Sequence, residues 1–302
     1  MMARANSFSP SIAVPAALAF AAWLALSSGA ATAATPGVDE PPVAGPAAPL
    51  VLPPIVVRTL DNGMTVIIAR RTATPLVTID VRLRAGAERD EPGHAGVADL
   101  TATLLARGTL RHGKPLGTTD IARQAETLGG DLQSGSGFGN SEVALTVTTP
   151  HVGDATALLA DLVRHPTFPD AEFKRTVDEK QDQLRLAMSS PGRVAGLAAR
   201  RAFWGDSPYG ASVTPASLAR TTLADVRRFH AQAYRPDVAA VIFAGDIDEA
   251  AAMALARKQF GDWKAPATPM PAVPATPPAS KAPALLSIDL GGVGQSLSLI
   301  HI

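Results

Sequence analysis

The sequence predicts an α+β fold, a mixed and largely antiparallel sheet covered by helices. Three observations carry this expectation. Several short segments alternate apolar and polar residues, so one sheet face is buried. Longer segments carry the helical apolar period and can cover that face. Strands and helices also follow one another without a regular βαβ alternation.

The first hairpin is the strongest local signal. Residues 55–60 and 64–70 flank Asp61-Asn62-Gly63, and Asn-Gly accepts the positive φ angles of a tight turn. In 76–84, Val77, Ile79, Val81 and Leu83 alternate with Thr78, Asp80, Arg82 and Arg84, the period of a half-buried strand. A helix is predicted over 96–107, with Val97, Leu100 and Leu104 on one face, and another over 119–128, stopped by Gly129-Gly130.

Strands over 131–136 and 141–149 flank the Gly-rich stretch 135–139. That stretch lacks the Lys-Ser/Thr ending and the strand-to-helix setting of a phosphate loop, so it reads as a hairpin turn. Helices follow over 152–163, 170–188, 193–204 and 223–234. The continuous apolar run 238–244 suits a central strand, and 248–260 is a closing helix.

Hydrophobic residues make up 46% of the 302 and charged residues 18%, enough to fill a substantial core. Twenty-seven Lys and Arg balance 27 Asp and Glu, so no global field draws nucleic acid or acidic membranes. The absence of cysteine excludes disulfides, thiolate metal sites and cysteine nucleophiles.

Arg4 precedes an apolar run over 12–26 and a small-residue segment, 27–34, in which Ala31-Thr32-Ala33 fits a signal-peptidase site. Residues 1–33 are therefore read as a secretory signal peptide. The competing reading, an uncleaved anchor, needs roughly 20 apolar residues, and this run is shorter and contains Pro15. No membrane span is expected after cleavage, and the mature chain is expected in a bacterial periplasm. Residues 34–54 read as a Pro/Ala-rich tether and 55–264 as one lobe. Seven prolines between 266 and 283 make 265–283 an extended linker. Residues 284–302 read as the start of a second lobe cut short.

Residues 93–109, GHAGVADLTATLLARGT, resemble a metal-binding helix whose ligands are replaced. A mononuclear peptidase zinc needs about three protein ligands, a bound water and a carboxylate base. The inverted motif H-x-x-E-H supplies two ligands and the base on one helix face. His94 is the only histidine nearby and sits before the helix start, where a loop role is expected. His112, His151, His165, His230 and His301 share no ligand spacing. The acids and bases of 170–188 read as a solvated helix face, and Ser134 and Ser136 have no adjacent base to activate them.

The chain resembles the pitrilysin/insulinase-type family of zinc peptidases. Residues carrying the likeness are Leu60-Asp61-Asn62-Gly63-Met64, Arg84-Ala85-Gly86-Ala87-Glu88, Ala106-Arg107-Gly108-Thr109, Leu128-Gly129-Gly130 and Phe173, in that order. Pro208-Tyr209-Gly210, Tyr234-Arg235-Pro236, Gly245-Asp246-Ile247 and Phe260-Gly261-Asp262-Trp263 continue it. The resemblance places the motif's first His at Asp99, its base Glu at Ala102 and its second His at Thr103. Ten residues past Phe173, its third ligand falls at Gln183.

The family uses zinc, but an Asp with Thr and Gln does not supply the usual ligation, and Ala102 cannot accept a proton. No cofactor and no catalysis by this chain alone are therefore expected. The resemblance also puts Gln133, Ser134, Gly135 and Ser136 beside a peptide path, with the family's substrate-binding Arg and Tyr in a second lobe beyond this chain. It implies a homologous H-x-x-E-H subunit as partner and an extended peptide or unfolded segment as ligand. The alternative is a stand-alone periplasmic peptide-binding or scaffold protein with the same fold.

Overall fold

The computed structural model describes residues 45, 53–273, 285–289 and 297–298. The signal peptide, most of the tether, the linker beyond 273 and most of 284–302 lie outside these residues. The ordered elements run β1 (Ile55–Thr59), β2 (Thr65–Arg70), β3 (Leu76–Leu83), α1 (Val97–Leu105), β4 (Gly108–Arg111), β5 (Lys114–Gly117), α2 (Thr118–Thr127), β6 (Gln133–Ser136) and β7 (Ser141–Thr148). They continue α3 (Val152–Arg164), α4 (Asp170–Ala187), α5 (Pro191–Trp204), α6 (Pro215–Arg220), α7 (Leu223–Ala233), β8 (Ala239–Gly245) and α8 (Glu249–Phe260).

Six strands form one sheet in the order β1-β2-β8-β3-β7-β6. β8 runs parallel to β2, and the remaining pairs are antiparallel. The last strand in sequence thus enters the middle of the sheet, as its unbroken apolar run implies.

Alternation decides the faces. Val66 and Ile68, Val77 to Leu83 at every second residue, Val143, Leu145 and Val147, and Val241 and Phe243 are all buried. They meet Leu100, Leu104 and Leu105 of α1, Leu158, Leu159 and Leu162 of α3, and Ala252, Ala256 and Phe260 of α8 in one core. The opposite face is polar at β3 and β7, where Arg82 bridges Asp80 at 2.9 Å and Glu142 at 2.7 Å, and the Thr78 and Thr146 hydroxyls meet at 2.8 Å.

The first turn differs in detail from the expected one. It is a three-residue loop closed by Gly63 N–H to Leu60 O and Leu60 N–H to Met64 O, both 2.9 Å, with the positive φ at Gly63 alone. Asn62 instead uses its side chain: Nδ2 donates to Phe260 O at 2.6 Å and Trp263 O at 2.9 Å, and Oδ1 accepts from Met64 N–H. The hairpin is thereby tied to the end of α8.

Two elements were not anticipated. β4 and β5 pair as a hairpin around His112 (φ +51°) and Gly113 (φ +74°), the two positive angles of a mirror-image turn. Its strands are four residues each, and Pro115 blurs their pattern. α6 is a six-residue helix held by a reciprocal cap between Thr214 and Ser217, too short to show a period.

Gly245 ends β8 against β3. Its φ is +142°, and a Cβ there lies 2.0 Å from Leu76 O, so any side chain meets backbone that cannot move away. Gly245→Ala is expected to lower stability by on the order of 2–4 kcal/mol. Urea unfolding should show a reduced midpoint at unchanged slope; a wild-type midpoint refutes the close approach.

Candidate functional site

α1 is built from its cap outward. Gly96 precedes it with φ +108°, and no side chain within the helix caps it. The carboxylate of Asp90, six residues back, does so from the loop: Oδ2 accepts from Gly96 N–H at 2.7 Å and Oδ1 from Ala98 N–H at 2.8 Å. The loop between is pinned to α6 and its flank, since Ser217 Oγ donates to Ala95 O and Arg220 Nη2 to Gly93 O, each at 2.8 Å.

His94 lies in this loop, part-buried, with Nδ1 3.8 Å from Asp225 Oδ2. That is beyond hydrogen-bond reach, and Nδ1 has no partner among the described residues. It faces α7 rather than the helix positions where a metal would be held.

The four positions implied by the family motif separate into different environments. Ala102 is fully buried in the core. Thr103 donates its hydroxyl to Asp99 O at 2.8 Å, one turn back on the same helix. Asp99 is half-exposed and accepts from Lys180 Nζ of α4 at 2.5 Å. Gln183 is exposed, and the residue of α4 that reaches α1 here is Lys180, three positions earlier.

The donor set does not fit zinc. A single carboxylate already holds an ammonium, a methyl group stands where the base belongs, and the neighbouring hydroxyl is spent on the helix backbone. Among the described residues, no group of three His, Cys, Asp or Glu is arranged to hold a metal ion. The partly exposed Asp99–Lys180 pair contributes at most about 1 kcal/mol to stability.

The four strand residues implied as a peptide path do come together, as β6, at one edge of the sheet. Gln133 is exposed and the other three are half-buried. Their register opposite β7 runs Gln133–Ala144, Ser134–Val143, Gly135–Glu142 and Ser136–Ser141. Gly137 N–H donates to Asn140 O at 2.7 Å, and strict alternation from that pair turns the N–H and C=O of Ser134 and Ser136 toward the open edge.

Ser136 Oγ donates toward the Gly137 and Asn140 carbonyls at 3.2 and 3.3 Å, and Ser141 Oγ gives its proton to Ala85 O at 2.6 Å, so neither hydroxyl is paired with a base that would activate it. The hairpin tip rests on the loop after β3: Ala87 N–H donates to Gly137 O and Glu88 N–H to Phe138 O. Gly86 allows this contact, for a Cβ there lies 2.3 Å from Phe138 O. Beyond the tip, Phe138, Tyr209 and Trp204 stack in series, with ring centroids 4.5 and 5.0 Å apart.

Sequence reasoning missed Lys180 because a residue count along a helix does not say which face meets its neighbour. It missed Asp90 because the carboxylate caps across six residues instead of at the adjacent position.

Burial raises the Asp90 carboxyl from its ordinary 3.8 to about 6. The Gly96 and Ala98 N–H groups oppose the rise, Asp99 adds to it, and His94 opposes it. The folded state therefore holds this proton more tightly than the unfolded chain does. Its stabilising contribution is complete below about pH 4 and lost as pH rises through about 6. Asp90→Asn should flatten the fall of unfolding free energy across that window, measured by urea titration at each pH. The difference from wild type isolates Asp90 from Asp80 and Asp161, whose carboxyls burial also raises; equal slopes refute the assignment.

The family model described as Insulinase (Peptidase family M16) matches residues 65–215, and the one described as Peptidase M16 inactive domain matches residues 220–298. An uncharacterized zinc protease of Mycobacterium leprae is 26% identical over 207 residues, covering 67% of this chain and 45% of its own length. The alpha subunit of the mitochondrial-processing peptidase of Solanum tuberosum is 23% identical, covering 59% and 34%. The crystal structure of a peptidase M16 inactive domain from Pseudomonas fluorescens superposes with a TM-score of 0.62 at 25% identity, covering 67% of this chain and 49% of that one. A Helicobacter pylori protease structure gives 0.68 at 20% identity over 75% and 55%, a likeness of fold. The chain thus spans about half the length of the relatives it matches. By the match over half of its residues, the chain belongs to the insulinase-type peptidases of family M16.

Proposed function

We propose that this chain is a non-catalytic member of its family, a periplasmic partner subunit that helps an H-x-x-E-H-bearing homologue hold extended peptides. One observation carries the reading: the frame of the site is intact while its chemistry is replaced, with Lys180 on Asp99 and Ala102 in the core. Without a base or a ligand set there is nothing to activate water.

What remains is a binding edge. β6 offers outward N–H and C=O groups to an added strand, an affinity that comes from main-chain hydrogen bonds and tolerates many sequences. The periplasmic placement rests on Arg4, the apolar run 12–26 and Ala31-Thr32-Ala33. Among the described residues, no helix is long and apolar enough to cross a membrane.

Three measurements test this. Titration calorimetry of the purified chain with Zn²⁺ should give no saturable heat at micromolar metal; stoichiometric binding overturns the reading of the ligand set. Cleavage of a quenched fluorescent peptide should require both this chain and its H-x-x-E-H homologue from the same host. Hydrolysis by this chain alone refutes the assignment. Recovery from the periplasm without that homologue favours the stand-alone binding protein.

A further inference from the structure

The sequence reads 265–283 as an extended linker, yet its first residues are held at several points. Asn62 fixes the carbonyls of Phe260 and Trp263, and Trp263 packs against the core. Arg235 Nη1 then donates to Thr268 O at 2.6 Å and Nη2 to Pro266 O at 3.2 Å. Met270 packs on the core, and Arg89 Nη1 donates to Pro271 O at 2.7 Å.

Arg235 shows why this seat belongs to the fold. It is only 4% exposed, and a buried guanidinium needs every donor paired. Asp237 takes two, at 2.6 Å to Oδ1 and 2.9 Å to Oδ2, which neutralises the charge from one side. Nη1 looks the other way, and its partner is the carbonyl of Thr268.

The floor beneath is continuous, since Arg84 N–H donates to Val238 O at 3.0 Å and joins the loop carrying Arg89 to the turn carrying Arg235. Residues 266, 269 and 271 are prolines, which stiffen the segment and leave carbonyls as its main recognition groups.

We propose that Arg235, Arg89 and the Met270 socket form a seat for extended, proline-rich chain, read through its carbonyl oxygens and occupied by residues 266–271 of the same polypeptide. The segment is a fixed strap. It makes the chain leave the lobe beside Arg89, which also lines a small cleft with Glu91, His94, Asp225 and Arg228 near the start of α1. Residues 272 and 273 are thereby held on that side of the lobe.

The absence of cysteine makes the test clean. Ala272→Cys, at an exposed position just past the Arg89 contact, takes a single nitroxide label whose rotational mobility is read by electron paramagnetic resonance. In the otherwise wild-type chain the spectrum should show slowed motion. Arg89→Ala should shift the bound-to-free ratio about tenfold toward free, from loss of the charge-assisted hydrogen bond to Pro271 O, with the circular-dichroism spectrum of the folded lobe unchanged. Arg235→Lys keeps the charge, loses the fork and should free the label further. If that variant does not fold, Arg89→Ala still decides. A sharp, fast-motion spectrum in the wild-type background, or one that Arg89→Ala leaves unchanged, overturns the strap.

Discussion

The structure depends on β8 entering the sheet between β2 and β3. About half of the chain, residues 84–238, lies between β3 and β8, so this one insertion closes a long loop that carries α1 to α7. It is also tight. β8 runs parallel to β2 and antiparallel to β3, and at its end Gly245 lies so close to Leu76 that only glycine fits. Val241 and Phe243 then face the helices as the middle of the core. α8, the Asn62 clasp and the anchored start of the linker all follow from the point where β8 delivers the chain.

α1 is held in place by contacts that do not depend on its polar positions. Its place is held by Leu100, Leu104 and Leu105 in the core and by Asp90 at its first N–H groups. Each fully buried leucine contributes about 1.5–3 kcal/mol from burial alone. The partly exposed Asp99–Lys180 pair contributes at most about 1 kcal/mol. Changing the polar positions therefore leaves the helix where it was. Ala102 goes a step further, because the position that the family motif gives to a base is here part of the packed interior.

Much of this was legible in the sequence where periodicity and packing coincide. Val77 to Leu83 announced a half-buried strand, the apolar run ending at Ala244 announced a central one, and Asp61-Asn62-Gly63 announced the first turn. The hairpin of β4 and β5 was hidden because four-residue strands hold no period and its turn uses His112, a residue that seldom marks one. The pairing of Lys180 with Asp99 was hidden for a different reason. Which residue of a helix meets a neighbour depends on rotation about its axis, and a count from Phe173 cannot fix that. The strand of β6, by contrast, was legible, since consecutive residues of a strand stay together, while its place at the edge of the sheet was not.

The linker sharpens the distinction between composition and conformation. Seven prolines in eighteen residues exclude helix and central strand, and residues 265–273 indeed form neither. Composition alone, however, is silent on whether such a segment is free, because freedom depends on partners elsewhere in the chain. Here the partner is a buried arginine whose charge is already met by Asp237 and whose other donors meet the carbonyls of Pro266 and Thr268. The need arises within the lobe, in Tyr234-Arg235-Pro236, and is answered more than thirty residues later. A segment that looks like a spacer is thus held by the electrostatics of the domain it leaves, and the direction in which the chain departs is set inside the lobe.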